Sequence, residues 1–162
     1  MPSVLFVCTA DRFRSPLAAA LFKHCLKQEP GMQDWSVGSA GTWADPNRLV
    51  IPPMKRIASH LHIDLSAHKS RRISRDLLES YDLILVMESN QREALLVEFP
   101  EIRDRLFLLS DVTVGRAYNI PDPHAQPGDT LQDVAAELQD LIDKGYKNIC
   151  DLAGRLHEDK GM

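Results

Sequence analysis

The chain has few cysteines and no long hydrophobic run, and both shortages limit what it can be. Its three cysteines, Cys8, Cys25 and Cys150, are odd in number and widely spaced, so they form neither a disulfide framework nor a CxxC metal pattern. This use of cysteine is typical of a reducing compartment, and we expect a cytoplasmic protein. No apolar stretch approaches membrane-spanning length, and the amino end lacks a charged leader with a cleavage site, so neither a membrane anchor nor a signal peptide is expected.

An excess of charge of one sign is also lacking. The formal net charge is −4 over 162 residues, which argues against non-specific nucleic-acid binding. The hydrophobic share of 44% and the charged share of 26% are ordinary for a globular protein. The length suits a single domain, residues 1–162, with a substantial core.

The stretch over residues 4–16 carries the first chemical signal. The run from Val4 to Val7 is short, β-branched and aromatic, which predicts a buried parallel strand. From Ser15 the pattern turns helical, and we expect Ser15 to cap a helix with Pro16 at its first position. Residues 8–14 then form a loop between a strand's carboxyl end and a helix's amino end. Open α/β sheets bind ligands there, and the helix dipole favours an anion.

The residue types in this loop suggest nucleophilic chemistry. Cys8 would stand at a helix amino end close to Arg14, where a thiol ionises readily and becomes a strong nucleophile. The planar guanidinium of Arg14 suits two phosphate oxygens. A thiolate, an arginine and a nest of N–H groups together favour phosphoryl transfer through a thiol-phosphate intermediate. The alternative is a buried structural cysteine beside a surface arginine, because Cys-x5-Arg alone arises often by chance.

Strands and helices alternate along the rest of the chain. The patterns predict strands over 35–39, 81–87 and 105–109, and helices over 16–28, from Pro52 or Pro53, after Ser74, after Ser89 and over 131–156 with a possible bend at Lys144-Gly145. Residues 111–130 are predicted to form a long loop, which in a compact domain is usually functional or disordered. Four strand–helix alternations favour an α/β domain with a parallel sheet and helices on both faces.

Four segments of this chain occur together, in this order, in one known family. They are Cys8-x5-Arg14-Ser15-Pro16 after the first strand, Ser39-Ala40-Gly41-Thr42 after the second, Asp82 to Met87 as the third strand, and Pro121-Asp122-Pro123 in the long loop. On these segments, and over nearly its whole length, the chain resembles the low-molecular-weight protein tyrosine phosphatases. The resemblance implies a three-layer, doubly wound fold whose four-stranded parallel sheet has the order 2-1-3-4.

The resemblance also implies catalytic roles. Cys8 would attack phosphorus while Arg14 holds the phosphoryl oxygens. Asp122 would protonate the leaving phenolate and then activate the water that hydrolyses the cysteinyl phosphate, and a long loop can bring such a carboxylic acid to the site. Ser15 would donate a hydrogen bond to the Cys8 sulfur, and no metal or other cofactor would be needed. The alternative for Asp122 is a turn aspartate before proline.

Further residues around the site follow from the same resemblance. The phosphate-binding loop would comprise Thr9, Ala10, Asp11, Arg12, Phe13 and Arg14. Trp43 would form one wall of the substrate cleft, or else pack on the core; Arg12 and His124 would also face the substrate. Ser39 and His68 would brace the loop by hydrogen bonding, although His68 could instead be an exposed residue after a turn. Arg71 and Arg72 fit a solvent-exposed face.

The loop departs from the family pattern, Cys-x-Gly-Asn-x-Cys-Arg-Ser, at four positions. Ala10 replaces a glycine and would be strained if its φ were positive. Asp11 replaces an asparagine, and its charge would oppose both a phosphate and a thiolate. We therefore predict that His68 pairs with Asp11, with Arg12 as a second candidate partner. Phe13 replaces the second cysteine of the loop, so Cys8 is expected to oxidise past the sulfenic stage more readily.

Two departures affect the substrate side. Arg12 stands where the family usually has a small or apolar residue; it could attract an acidic substrate or a second phosphate, or fold back onto Asp11. His124 and Ala125 replace tyrosines after the Asp-Pro pair, so stacking on a phosphotyrosine ring should be weaker.

The leading hypothesis is a cysteine-dependent phosphatase that hydrolyses phosphomonoesters, above all phosphotyrosine in proteins. Its partner would be a phosphorylated protein or another phosphomonoester, without nucleic acid or membrane, and the chain would be a monomer or a weak dimer. One alternative is a phosphate-binding protein with impaired catalysis, which Ala10 and Asp11 favour. An arsenate reductase of the same fold would need two further cysteines to relay a disulfide. A phosphoarginine phosphatase is disfavoured because Arg12 would repel a guanidinium, and a small phosphorylated metabolite remains a further alternative.

Overall fold

A four-stranded parallel sheet forms the centre of the molecule in the computed structural model, which describes residues 1–123 and 130–161. Its strands are β1 (Ser3–Cys8), β2 (Ser36–Gly41), β3 (Leu83–Val86) and β4 (Leu106–Leu108). They lie in the order β2-β1-β3-β4 and all pair in parallel. The predicted fold class and strand order are confirmed.

Helices cover both faces of the sheet. They are α1 (Arg14–Lys27), α2 (Pro52–His60), α3 (Arg75–Glu79), α4 (Ser89–Glu98), α5 (Leu109–Val114), α6 (Leu131–Lys160) and a 3₁₀-helix over Pro100–Arg105. Successive side chains of β1 point to opposite faces, so Val4 and Phe6 join one core with α1 and α6. Leu5 and Val7 join a second core with α3 and α4. The sheet is therefore buried on both sides.

The first helix begins earlier than the sequence indicated. Its first residue is Arg14 and its N-cap is Phe13, which makes no side-chain capping bond. The expectation that Ser15 caps this helix was wrong, because the Ser15 hydroxyl is engaged with Cys8 and Asp11. The proline that follows Ser15 still lies in the first turn, where a missing N–H breaks no helical bond.

Strand boundaries also differ from the expectation. The second strand runs over Ser36–Gly41 instead of 35–39, because its pairing with β1 continues until Cys8 lies opposite Gly41. The fourth strand is limited to Leu106–Leu108, and the segment before it is the 3₁₀-helix, which was not predicted.

The prediction of a long loop over 111–130 was wrong for its first residues. That part belongs to helix α5, which ends at Gly115 in the left-handed conformation with φ 73°, a common helix ending. Helix α6 continues through Gly145 without the suggested break. Among the described residues, no helix is both long enough and apolar enough to cross a membrane.

Helix α4 is capped by a residue that was not expected. The sequence pattern placed this helix after Ser89, with Ser89 as its cap, but its N-cap is Glu88, and Glu88 and Gln91 form a reciprocal capping box. In such a box each side chain accepts a hydrogen bond from the other residue's backbone N–H. The carboxyl end of β3 therefore leads directly into a rigid helix start beside the end of β1.

Candidate active site

The loop after β1 wraps around the Cys8 sulfur at the carboxyl edge of the sheet. Cys8 Sγ lies 3.0 Å from Ser15 Oγ and accepts the N–H of Asp11 at 3.3 Å. The sulfur borders a pocket of about 130 Å³, lined by Cys8, Ala10, Arg12, Phe13, Arg14, Ile51, Met54, Asp122 and Pro123. Helix α1 starts at the same pocket, so its unpaired N–H groups and dipole favour an anion there.

Arg14 is fixed at this pocket by two acceptors. Its side chain is almost fully buried, Nη1 donates to Ile120 O at 2.8 Å, and the same nitrogen lies 3.1 Å from Glu88 Oε2. A buried guanidinium needs such partners, and they hold its remaining donors in one orientation. Ile120 stands two residues before Asp122, so this bond also ties the segment of the expected acid to the phosphate loop.

The side chain of Gln91 connects the end of β3 with the loop after β1. The amide oxygen of Gln91 accepts the N–H groups of Met87 at 3.0 Å and Glu88 at 2.9 Å, while its Nε2 donates to Thr9 Oγ1 at 3.0 Å. Sequence reasoning missed Glu88 and Gln91. The available signal was weak: Gln91 has the type and spacing of the second residue of a capping box, but Glu88 is not one of the usual first residues.

Asp11 is the strained residue of the loop. Its φ is 55° and its side chain has no exposed surface, whereas Ala10 needs no left-handed conformation. Aspartate tolerates this region better than most residues. Asp11 Oδ1 accepts the hydroxyl of Ser15 at 2.8 Å, and Oδ2 accepts the N–H of Arg71 at 3.0 Å. Burial raises the pKa of this carboxyl, although hydrogen bonds from Ser39 and Ser15 act in the opposite direction.

His68 and Ser39 both lie against Asp11. His68 Nε2 is 2.8 Å from the Asp11 carbonyl oxygen and 3.6 Å from Oδ2; because a carbonyl only accepts, Nε2 carries the hydrogen. Arg12 does not fold back onto Asp11. Its Nε and Nη2 donate instead to Leu49 O at 3.3 and 2.7 Å, so the expected pairing of Arg12 with Asp11 was wrong.

Arg71 is exposed, as the sequence suggested, but it also supports the loop. Besides its N–H bond to Asp11, its Nε donates to Ser39 O at 2.8 Å and its Nη2 to Tyr81 Oη at 3.1 Å. No local pattern marks this residue, because its partners lie in the loop after β1, on β2 and just before β3.

The outer part of the pocket has a mixed character. Asp122 and Pro123 line one side, and the apolar side chains of Ile51 and Met54 line another. His124 lies outside the described residues. Trp43 does not line this pocket in the part of the chain that the structure describes; it is 74% exposed, with the Arg72 guanidinium 5.1 Å from its ring centroid. The cleft-wall role of Trp43 stays a prediction.

The groups around the pocket suit chemistry on an anion. Within residues 1–123 and 130–161, no three His, Cys, Asp or Glu side chains stand together as a metal site would require. The groups that do converge are a sulfur with two hydrogen-bond partners, a fixed arginine, a helix amino end and, at the mouth, a carboxyl group. Such a set can bind a phosphoryl group and attack it.

Comparison with known proteins agrees with this geometry. A sequence model described as "Low molecular weight phosphotyrosine protein phosphatase" matches residues 3–153. A protein-arginine-phosphatase of Bacillus subtilis (strain 168) is 33% identical over 139 residues, which cover 86% of this chain and 91% of the relative. The low molecular weight protein-tyrosine-phosphatase Wzb of Escherichia coli (strain K12) is 31% identical over 137 residues, or 85% and 88% of the two chains.

Solved structures show the same similarity. The crystal structure of a YwlE mutant from Bacillus subtilis superposes with a TM-score of 0.83 at 31% identity and covers 92% of this chain and 99% of its own. The chain therefore belongs to the low molecular weight phosphotyrosine protein phosphatase family and is a cysteine-dependent phosphatase.

Proposed function

We propose that the protein hydrolyses phosphotyrosine in phosphorylated proteins, with Cys8 as nucleophile and Asp122 as general acid and base. The observation that carries the proposal is the contact set of the buried Cys8 sulfur, which has Ser15 Oγ at 3.0 Å and the Asp11 N–H at 3.3 Å. Hydrogen-bond donors stabilise a thiolate, and a thiolate beside a fixed arginine is suited to attack phosphorus.

The first step would form the cysteinyl phosphate. Arg14 and the N–H groups of the loop hold the phosphoryl oxygens while the Cys8 sulfur bonds to phosphorus. The bond from phosphorus to the tyrosine oxygen breaks, and the Asp122 carboxyl gives its proton to that oxygen.

The second step would restore the enzyme. A water attacks the phosphorus of the cysteinyl phosphate, and the Asp122 carboxylate takes a proton from that water. The sulfur–phosphorus bond then breaks, inorganic phosphate forms and the thiolate returns with a hydrogen bond from Ser15. Asp122 ends protonated, ready for the next substrate.

The character of the pocket supports a phenolic substrate. Ile51, Met54 and Pro123 provide apolar surface near the sulfur, which suits an aromatic ring. Arg12, held at the same pocket through Leu49 O, carries a positive charge that disfavours a second guanidinium. Both features favour phosphotyrosine over phosphoarginine.

Phosphoarginine in proteins is a second candidate substrate. Two relatives, from Bacillus subtilis and Geobacillus stearothermophilus, are named protein-arginine-phosphatases and are 33% and 32% identical to this chain. The two candidates share the nucleophile and differ in the leaving atom, an oxygen or a guanidine nitrogen. The positive charge of Arg12 is the feature that should discriminate between the two substrates.

Two peptides of one sequence, carrying phosphotyrosine or phosphoarginine, test the proposal. We expect wild type to prefer phosphotyrosine, Cys8→Ser to lose hydrolysis, and Arg12→Thr to raise the relative kcat/KM for phosphoarginine about tenfold, or ~1.4 kcal/mol. Arg56→Thr, which changes an exposed arginine of α2, is the matched control. A wild type that prefers phosphoarginine, or that binds vanadate tightly without hydrolysing either peptide, would contradict the proposal.

A further inference from the structure

The carboxyl group of Asp11 and the thiol of Cys8 share one hydroxyl group. Ser15 Oγ lies 3.0 Å from Cys8 Sγ and 2.8 Å from Asp11 Oδ1. A hydroxyl carries one proton and can donate it to only one of these neighbours at a time. An asparagine at this position would have an amide that always donates, whereas a carboxyl donates only when it is protonated. The aspartate therefore makes the hydrogen bonding of the sulfur depend on a titratable group.

Cys8, Ser15 and Asp11 form a chain of hydrogen bonds that only some of their protonation states can complete. With a thiol at Cys8 and a carboxylate at Asp11, the S–H can donate to Ser15 and Ser15 to the carboxylate. With a thiolate at Cys8, Ser15 must donate to the sulfur, and Oδ1 needs a proton of its own to donate to Ser15. If both end groups are ionised, Ser15 can donate to only one of them. The sulfur still accepts the Asp11 N–H and the carboxylate still accepts from Ser39 and the Arg71 N–H, but one of two neighbouring buried anions has one hydrogen bond fewer, which is costly at a fully buried site.

We propose that Asp11 is a positioning residue that holds a proton while Cys8 is a thiolate. Thiolate formation then transfers the Sγ proton to Ser15 Oγ as the hydroxyl proton of Ser15 passes to Asp11 Oδ1. The negative charge moves from the carboxylate to the sulfur, and no proton is lost to solvent. The inference rests on the proposed role of Cys8 as the nucleophile.

The surroundings of Asp11 favour this distribution of protons. Oδ2 accepts the backbone N–H of Arg71 at 3.0 Å, so a proton on the carboxyl belongs on Oδ1, which faces Ser15. The titratable or charged groups that face Asp11 are Cys8 from β1 and His68 and Arg71 from the segment before α3. The Arg71 guanidinium is engaged elsewhere, and the side chain of Asp11 has no exposed surface. Burial of this kind favours the neutral carboxyl.

The coupled protonation of Cys8 and Asp11 also affects the hydrolysis of the cysteinyl phosphate. While the sulfur is bonded to phosphorus it carries no charge, and Asp11 retains the proton that it holds beside the thiolate. When the thiolate departs again, Ser15 donates to the sulfur and the neutral Asp11 carboxyl donates to Ser15. A site with aspartate should therefore lose activity as pH rises and removes that proton, whereas one with asparagine should not.

The Asp11→Asn variant tests the inference without any substrate. Asparagine tolerates a positive φ, its oxygen can accept from Arg71, and its amide can donate to Ser15. We expect the ultraviolet absorbance of the thiolate in wild type to titrate in two linked steps, and in Asp11→Asn in one. At neutral pH, alkylation of Cys8 by iodoacetamide should be about tenfold faster in the variant, equivalent to ~1.4 kcal/mol. The Cys8→Ser protein provides the background from Cys25 and Cys150.

Two further measurements make the test decisive. Asp104→Asn, which removes an exposed carboxylate, should titrate like wild type. The carbon-13 NMR signal of the Asp11 carboxyl should follow the same two linked steps in wild type, and in Cys8→Ser it should titrate in one step at lower pH, because coupling between two sites is reciprocal. Identical one-step thiol titrations in wild type and Asp11→Asn, or an Asp11 signal that does not respond to Cys8, would overturn the inference. Linked titration in a protein that hydrolyses no phosphoester would overturn only the proposed function.

Discussion

Arg14 illustrates how a single buried charge is held ready for an anion. Its guanidinium is paired with Glu88 at 3.1 Å and with Ile120 O at 2.8 Å, and its side chain is 4% exposed. Removal of one partner leaves a buried charge without compensation, which costs more than the pair itself contributes. Glu88 therefore acts on the anion site through Arg14, although it does not line the pocket.

Substitution of Glu88 by glutamine should weaken both stability and catalysis. The amide keeps an acceptor for the N-cap of α4 but removes the charge that faces Arg14, so we expect a loss of about 1–3 kcal/mol in the free energy of unfolding. We also expect kcat/KM to fall about tenfold, ~1.4 kcal/mol, because the guanidinium is less firmly oriented. Urea denaturation and steady-state kinetics measure the two effects. Glu93→Gln, an exposed change on the same helix, should leave both unchanged, and equal losses in the two variants would refute the role of Glu88.

At the scale of elements, the last helix packs closely against α5 at a glycine, Gly145, which has no side chain. A Cβ at Gly145 would lie 2.2 Å from Thr113 Cβ. Thr113 has little freedom to move, since its Oγ1 donates to Leu109 O at 2.7 Å and its carbonyl oxygen accepts from Asn148 at 3.2 Å. Glycine lowers helix propensity by about 1 kcal/mol relative to alanine, yet here it permits the close approach of two helices.

Alanine substitutions at two glycines of α6 distinguish the effect of helix propensity on stability from the effect of helix packing. Gly145→Ala should destabilise the protein by about 1–3 kcal/mol, because overlap with Thr113 outweighs the gain in helix propensity. Gly154→Ala meets no atom within 4 Å, so it should stabilise the protein by up to about 1 kcal/mol. Thermal or urea unfolding of both variants checks the signs. A stabilised Gly145→Ala protein would show that the helices can move apart without cost.

At the scale of the whole molecule, one side-chain bond joins the carboxyl-terminal helix to the segment that leads to Asp122. Tyr118 Oη donates to Glu137 on α6, while Ser110 Oγ donates to the Tyr118 carbonyl oxygen at 2.8 Å. Burial, followed by the hydrogen bond to Glu137, raises the pKa of Tyr118 to about 12. The neutral hydroxyl is thus the form that the folded protein favours.

The stability of the protein in alkaline solution should therefore depend on Tyr118. Above pH 10.0 the unfolded chain releases this proton, while the folded protein keeps it until about pH 12, so stability falls as pH rises through that interval. Tyr118→Phe should be less stable than wild type by about 0.5–1.5 kcal/mol near neutral pH, where the hydrogen bond is intact. The difference should shrink as pH rises, because wild type loses the bond.

Urea denaturation of wild type and Tyr118→Phe at a series of pH values measures this difference. Burial also raises the pKa of Tyr146, but that residue is present in both proteins and its effect cancels. A difference that stays constant up to the alkaline limit would contradict the assignment.

Much of the local structure was determined by the sequence alone. The strand Ser3–Cys8, the loop with Cys8 and Arg14, and the helix after it follow from a short apolar run and a change of periodicity within about two dozen residues. The strand order followed instead from the resemblance to a known family, which rests on four motifs that occur together. Such signals are local because propensities, caps and hydrophobic periods act over a few turns.

The partners that give the site its chemistry were decided only by the tertiary structure. Arg14 meets Ile120 across 106 positions, and the backbone of Arg71 meets Asp11 across 60. These contacts depend on strand register and on the crossing of loops over the sheet edge, which no local pattern encodes. Ser15 is the clearest case: its sequence context is typical of a helix cap, but the fold places its one proton between a thiol and a buried carboxyl group.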